Sequence, residues 1–172
     1  SSGMPSHALP DRSFQIRTPR LLLRATTYDD VPRLTEIASN WDVTRMLRFA
    51  NWPVVERDIA IWQDEHVREW TAGTAYRFAV LHEGRVIGST DIDDIEGDAG
   101  DIGYWFDEAY WGHGYAGEAA AAATHFALNT LHLTRLYAGH AKDNPASGKI
   151  LRRLGFALTE DAMKWSRPHG RD

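Results

Sequence analysis

The feature that most limits how this chain can fold lies two-thirds of the way along it. It is the run Trp111-Gly112-His113-Gly114-Tyr115-Ala116-Gly117-Glu118, leading straight into a helix dominated by alanine. Glycines there let another molecule approach the backbone closely, and the free N–H groups at a helix start attract an anion such as a pyrophosphate. The stripe Ala116, Ala119, Ala120, Ala123 and Ala127 carries little side-chain bulk. The helix, predicted from about Tyr115 to Leu131, can therefore lie close against a sheet. A glycine-rich turn with no ligand is the plainer alternative.

The rest of the chain supplies that sheet. Ser13 to Arg24 reads as one extended segment, with Leu21-Leu22-Leu23 as its apolar part. Helices follow: one capped by Asp29-Asp30 through Ser39, a short one around 43–49, and a longer one from Pro53 through Trp70, stopped by Gly73. The period then changes. Strands are predicted at 76–81, 86–93 and 101–106, the first two joined by the turn His82-Glu83-Gly84-Arg85. After the alanine helix come a strand at 133–141, a helix at 145–154 and a last strand at 162–166. Three antiparallel strands followed by a strand–helix–strand crossover make an α+β fold with a mixed sheet. Residues 1–12 are polar and proline-punctuated, and Ser1-Ser2-Gly3 ahead of Met4 looks like the remnant of an expression tag. A single domain is expected over 13–172.

Gly112, Gly114 and Gly117 also match G-x-G-x-x-G. A dinucleotide-dependent oxidoreductase must therefore be weighed. Against it, the motif comes late, follows an antiparallel meander, and the next strand ends in Gly139-His140 with no carboxylate for a ribose. No Lys-Ser/Thr pair follows, so it is not a phosphate loop of the nucleotide-hydrolase type. The net charge of −5 argues against double-stranded nucleic acid as a partner. The absence of cysteine removes disulfides, thiolate metal ligands and a thiol nucleophile. No apolar run reaches the roughly 18 residues of a membrane span, and no signal peptide is legible. A cytoplasmic protein is expected, with neither membrane nor nucleic acid as partner. His125 and His132 lack a third ligand, so no metal is expected.

The segment from Asp101 to Ala119 closely resembles the acetyl-CoA motif of the GNAT N-acetyltransferases, in the branch resembling the Rim ribosomal-protein acetyltransferases. Thr18-Pro19-Arg20-Leu21-Leu22-Leu23-Arg24 looks like that branch's opening strand. Asp143-Asn144-Pro145-Ala146-Ser147-Gly148-Lys149-Ile150-Leu151 with Leu154-Gly155-Phe156 looks like its second CoA-side motif. The resemblance implies a GNAT fold: a mostly antiparallel, twisted sheet of six or seven strands flanked by helices, with a V-shaped split between the strands at 101–106 and 133–141. It implies acetyl-CoA as cosubstrate. The pantetheine arm would pair near Trp105 and Phe106, and the pyrophosphate would lie on Gly112, His113, Gly114, Tyr115, Ala116 and Gly117. Asn144 and Ser147 would also stand beside the cosubstrate. Trp111 holds a place where the family commonly has Gln or Arg.

The implied reaction is direct transfer of an acetyl group to a primary amine, of a protein N-terminus or a small molecule, through a ternary complex. Ser147 is the candidate acid for the departing thiolate, since the tyrosine used elsewhere in the family is Leu151 here; helix capping is its plainer role. Candidate bases are Asp101 first, then Asp91 and Asp93, which are two apart and share a face of one strand. His140 could shuttle a proton or simply pack. Trp41 and Trp52 are read as pocket residues for a cationic amine, and Trp62 and Trp70 as core. A non-catalytic acyl-CoA-binding module is the alternative function. With only six residues after the last predicted strand, the fold's final strand is expected to be missing from this chain or its role to be filled otherwise. The edge of 133–141 is then expected to be covered by a second protomer, making a homodimer.

Overall fold

The computed structural model describes residues 9–47, 51–138, 145–159 and 162–167. Its elements are β1 (Gln15–Arg17), β2 (Leu22–Ala25), α1 (Val31–Ala38), α2 (Trp41–Thr44), α3 (Glu56–Ala72), β3 (Tyr76–His82), β4 (Arg85–Glu96), β5 (Ala99–Phe106), α4 (Tyr115–Asn129), β6 (Arg135–Ala138), α5 (Pro145–Arg153), β7 (Ala157–Leu158) and β8 (Met163–Ser166). All eight strands form one sheet in the order β1-β2-β3-β4-β5-β6-β8-β7. Every neighbouring pair is antiparallel except β5 and β6.

Several sequence expectations shift. The segment at 13–24 is not one strand but a hairpin: β1 pairs with β2, and Thr18-Pro19-Arg20-Leu21 turns between them. Proline has no N–H to give a ladder, so the chain reverses there instead of running on. The helix expected from Pro53 begins at Glu56, with extended Val55 as its N-cap. The short second helix sits at Trp41–Thr44, where the Asn40 side chain accepts from the Asp42 N–H.

The closing hairpin is also present, contrary to expectation. β7 is two residues long and carries no period that sequence reading could find. It pairs with β8, and β8 in turn pairs with β6 from Arg135↔Ser166 to Ala138↔Met163. The chain therefore covers its own β6 edge, and the reason given for a second protomer falls away.

The sheet separates two apolar layers. On one face α4 packs on Ile92, Ile102, Phe106 and Phe78, and on the other α1 and α3 pack on Ala79 and Val86. Alternation along β5 assigns Ile102, Tyr104 and Phe106 to the α4 side and Asp101, Gly103 and Trp105 to the α3 side. No helix among the described residues is long and apolar enough to cross a membrane.

The feature that makes a site is the β5–β6 ladder. It consists of Ala99↔Arg135, Gly100↔Leu136 and Asp101↔Tyr137, whereas β5 runs on to Phe106. Beyond Asp101 no β6 residue pairs with it among the described residues.

Phe126 of α4, 2% exposed, joins the helix to the sheet through ring contacts with Phe14, Tyr76 and Phe78 at 5.3, 5.5 and 5.1 Å between centroids. Phe126→Ala should therefore cost about 3–5 kcal/mol of unfolding free energy, as large core truncations do. Urea denaturation measures it, and a loss below about 1 kcal/mol would mean the rings are not the clamp between α4 and the sheet.

Candidate active site

The glycine loop is held open by its own backbone and anchored by the first hairpin. Gly112 and Gly114 adopt φ of +81° and +82°, the left-handed region that costs other residues strain, and Gly114 is the N-cap of α4. Ala119, Ala120, Ala123 and Ala127 are fully buried, so α4 seats tightly and its N-terminus opens beside the end of β5.

The turn of the first hairpin grips this start. Glu118 accepts from Thr18 Oγ1 at 2.5 Å, from the Arg20 N–H at 2.8 Å and from Arg20 Nε at 2.7 Å. Arg20 also donates to the His113 carbonyl at 2.9 Å and lies over the Tyr115 ring at 4.5 Å. The Tyr115 hydroxyl in turn meets His82 Nε2 at 3.2 Å. That gives the Thr18-Pro19-Arg20 motif a physical reason: it holds the loop and helix start in place. Trp111, the departure from the family pattern, donates its indole N–H to the Phe106 carbonyl at 2.9 Å and ties the loop to β5.

Across the sheet lies a cavity of about 240 Å³, lined by residues of β3, β4, β5, α1 and α3. Asp91, Asp93 and Asp101 all face it, as the two-residue spacing requires. Asp94 faces it too, against that spacing. A bulge between Asp93 and Glu96, with Asp94 at φ +47°, turns its carboxylate to the same side. Oxygens of Asp93, Asp94 and Asp101 lie within 4.8 Å of one another.

Arg77, opposite Asp91 on β3, meets Asp91 and Asp93 at 3.0 Å each and Glu69 at 2.9 and 3.2 Å. Burial opposes its charge, but the Glu69 hydrogen bonds and the surrounding carboxylates outweigh burial and raise its pKa. Burial also pushes the Asp91 and Asp93 carboxyls up against the pull of Arg77. For Asp93 the like charge of Asp91 adds to it, and it titrates at about 7. His66, bonded to Thr26 Oγ1 at 3.0 Å, is held down to about 3 by burial and by the charges of Arg77 and Arg12, so it is neutral at pH 7.

The tryptophans redistribute. Trp41 and Trp52 are half-exposed and pack edge-on against each other at 5.1 Å, away from the cavity. Trp62, read as core, lines the cavity with Trp105, whereas Trp70 is core as expected. The period of four along α3 does not separate a residue facing the core from one facing a hollow beside it.

Ser147 stands in the first turn of α5, buried, its side chain interacting with that of Tyr104. Burial raises the Tyr104 pKa. Tyr104, like Ile102, is also among the residues that border the acceptor-side cavity. Sequence reading passed over it as one aromatic among many in the 104–106 run. Asn144 and His140 lie outside the described residues.

The raised Asp93 carboxyl carries a signed prediction. The folded chain keeps that proton up to about pH 7, while an unfolded aspartate releases it near pH 4. The group's contribution is fully present below about pH 4 and lost as pH rises through about 7. Unfolding free energies of wild type and Asp93→Asn, taken by urea titration, should therefore differ by an amount that declines between about pH 5 and 7. A constant difference would contradict the shift.

The GNAT acetyltransferase domain family matches residues 20–157 of the chain. An uncharacterized N-acetyltransferase, p20 of Bacillus licheniformis, is 29% identical over 145 residues, covering 81% of this chain and 80% of that protein. Among solved structures, RimL, a ribosomal L7/L12 alpha-N-protein acetyltransferase in complex with coenzyme A, superposes with a TM-score of 0.79 at 22% identity, over 92% of this chain and all of that one. A putative ribosomal-protein-serine acetyltransferase from Vibrio cholerae gives 0.73 at 23% identity, over 91% and 98%. The fold is theirs, which sets aside the oxidoreductase reading of the three glycines. With the family matched over most of its length, the chain belongs to the GNAT acetyltransferases and is an N-acetyltransferase.

Proposed function

We propose that the chain moves an acetyl group from acetyl-CoA directly to a primary amine held in the acidic cavity, both substrates being bound at once. The observation that supports this reading most is the position of β5. Its residues from Ile102 to Phe106 border the split on one side, while Asp101, Gly103, Tyr104 and Trp105 line the cavity. A donor and an acceptor on either side of one strand need no covalent enzyme intermediate, only alignment.

In this reading the N–H groups at Gly112–Gly117 receive the pyrophosphate. Backbone around Trp105 and Phe106 aligns the pantetheine arm and polarises the carbonyl. Ser147, backed by Tyr104, gives a proton to the thiolate, with Asn144 beside it as the family resemblance implies. Among the candidate bases Asp91 moves ahead of Asp101 and Asp93. It lies opposite Gly103, nearer the acetyl end of β5, and its Oδ1 has no donor among the described residues. Burial raises its carboxyl against the pull of Arg77. The acceptor is a small-molecule or peptide amine, and its positive charge suits the carboxylates.

Isothermal titration with acetyl-CoA tests the donor side. Gly114→Val, strained at φ +82° and crowded by Arg20 at 3.3 Å from an added Cβ, should lose more than about tenfold in affinity. Wild-type affinity in the folded variant would contradict the loop's assignment. On the chemical side, Ser147→Ala should lower kcat by about 10²-fold, the usual worth of a positioned acid, with acetyl-CoA affinity little changed. An unchanged kcat would leave Ser147 a helix-start residue only.

A further inference from the structure

The acceptor cavity is lined by more carboxyl groups than Arg77 and one ammonium would pair with. Glu65, Asp91, Asp93, Asp94 and Asp101 stand around it, against Arg77 as the one Lys or Arg among its described lining residues. Arg77 is itself shared with Glu69 outside the cavity. His66 adds nothing at neutral pH.

A second observation is independent of that count. Asp91 Oδ1 and Gln63 Oε1 belong to side chains 8% and 1% exposed, both line the cavity, and neither has a donor among the described residues. Buried acceptors without donors are costly and are normally satisfied, so a ligand rich in N–H groups belongs here. Walls of Leu34, Ile59, Trp62 and Trp105 suit an alkyl chain and a cation over a ring. A hard divalent ion would instead want six or more oxygens.

The carboxylates are not spread evenly. Asp93, Asp94 and Asp101 gather around Asp101↔Tyr137, the last β5–β6 pair among the described residues, while the acetyl-transfer reading puts the acetyl end of β5 at Tyr104 and Trp105. Three to four strand residues separate these points, about 10–13 Å. We propose that the acceptor is a linear diamine or polyamine, its reacting amine near Tyr104 and a second ammonium held by Asp93, Asp94 and Asp101. This rests on the acetyl-transfer reading above.

The test compares 1,8-diaminooctane with n-octylamine, equal in alkyl length and differing in the second charge. With acetyl-CoA, kcat/KM from CoA release should be at least about tenfold higher for the diamine. Asp94→Asn, on an exposed bulge where asparagine tolerates the same φ, should collapse that ratio through KM. Equal values in wild type, a ratio unchanged in Asp94→Asn, or faster turnover of a tripeptide with uncharged side chains would overturn the proposal. Calorimetric titration of both amines onto the CoA-bound protein separates the two readings. Preferential diamine binding without CoA release would sink acetyl transfer and keep the dication site. Turnover without preference would sink the dication site alone.

Discussion

The arrangement on which the site depends is the parallel pair at the centre of the sheet. Among the described residues β5 and β6 pair through Ala99↔Arg135, Gly100↔Leu136 and Asp101↔Tyr137, and β5 runs on to Phe106. Unpaired backbone in the middle of a sheet is costly unless something else meets it. Here the crossover brings α4 and its glycine loop to the mouth of the opening, and α5 brings Ser147 to Tyr104. In the proposed reading an extended arm with amide groups would lie along β5 here.

Two polar clamps keep the halves of the site in register. Glu118, Thr18 and Arg20 tie the first hairpin to the glycine loop, over a sequence separation of about one hundred residues. Arg77 ties three carboxylates from β4 and α3 across the other face. Within the second clamp, burial raises the Asp91 and Asp93 carboxyls against the pull of Arg77, and the charge of Asp91 raises Asp93 further. A cation entering the cavity would offset that, which is the part the proposed amine acceptor would play.

Much of this was legible in the sequence because the informative residues were local. The loop at Gly112–Gly117, the alanine stripe, the turn at Glu83-Gly84 and the i, i+2 pairing of Asp91 with Asp93 depend on spacing alone. What escaped reading depended on irregularity or on distance. Asp94 reaches the cavity only through a bulge, and strict alternation sends it to the opposite face. β7 is two residues long, too short to show a period, and its omission produced the false edge at β6. Tyr104 pairs with Ser147 across 43 positions of sequence, and Trp62 turns to a hollow that exists only once α3 has packed. The reversal at Pro19 within the extended segment 13–24 escaped too, since a proline in a strand and one in a hairpin turn leave the same residues extended on either side.

The central claim is that acetyl donor and amine occupy the two sides of β5 together. Initial-velocity kinetics, with acetyl-CoA varied at several fixed amine concentrations, tests it most directly. Simultaneous occupancy predicts double-reciprocal lines that intersect, with no acetylated enzyme recoverable when amine is withheld. Parallel lines, accompanied by a protein mass increased by one acetyl group, would place a covalent intermediate on the path and contradict the account.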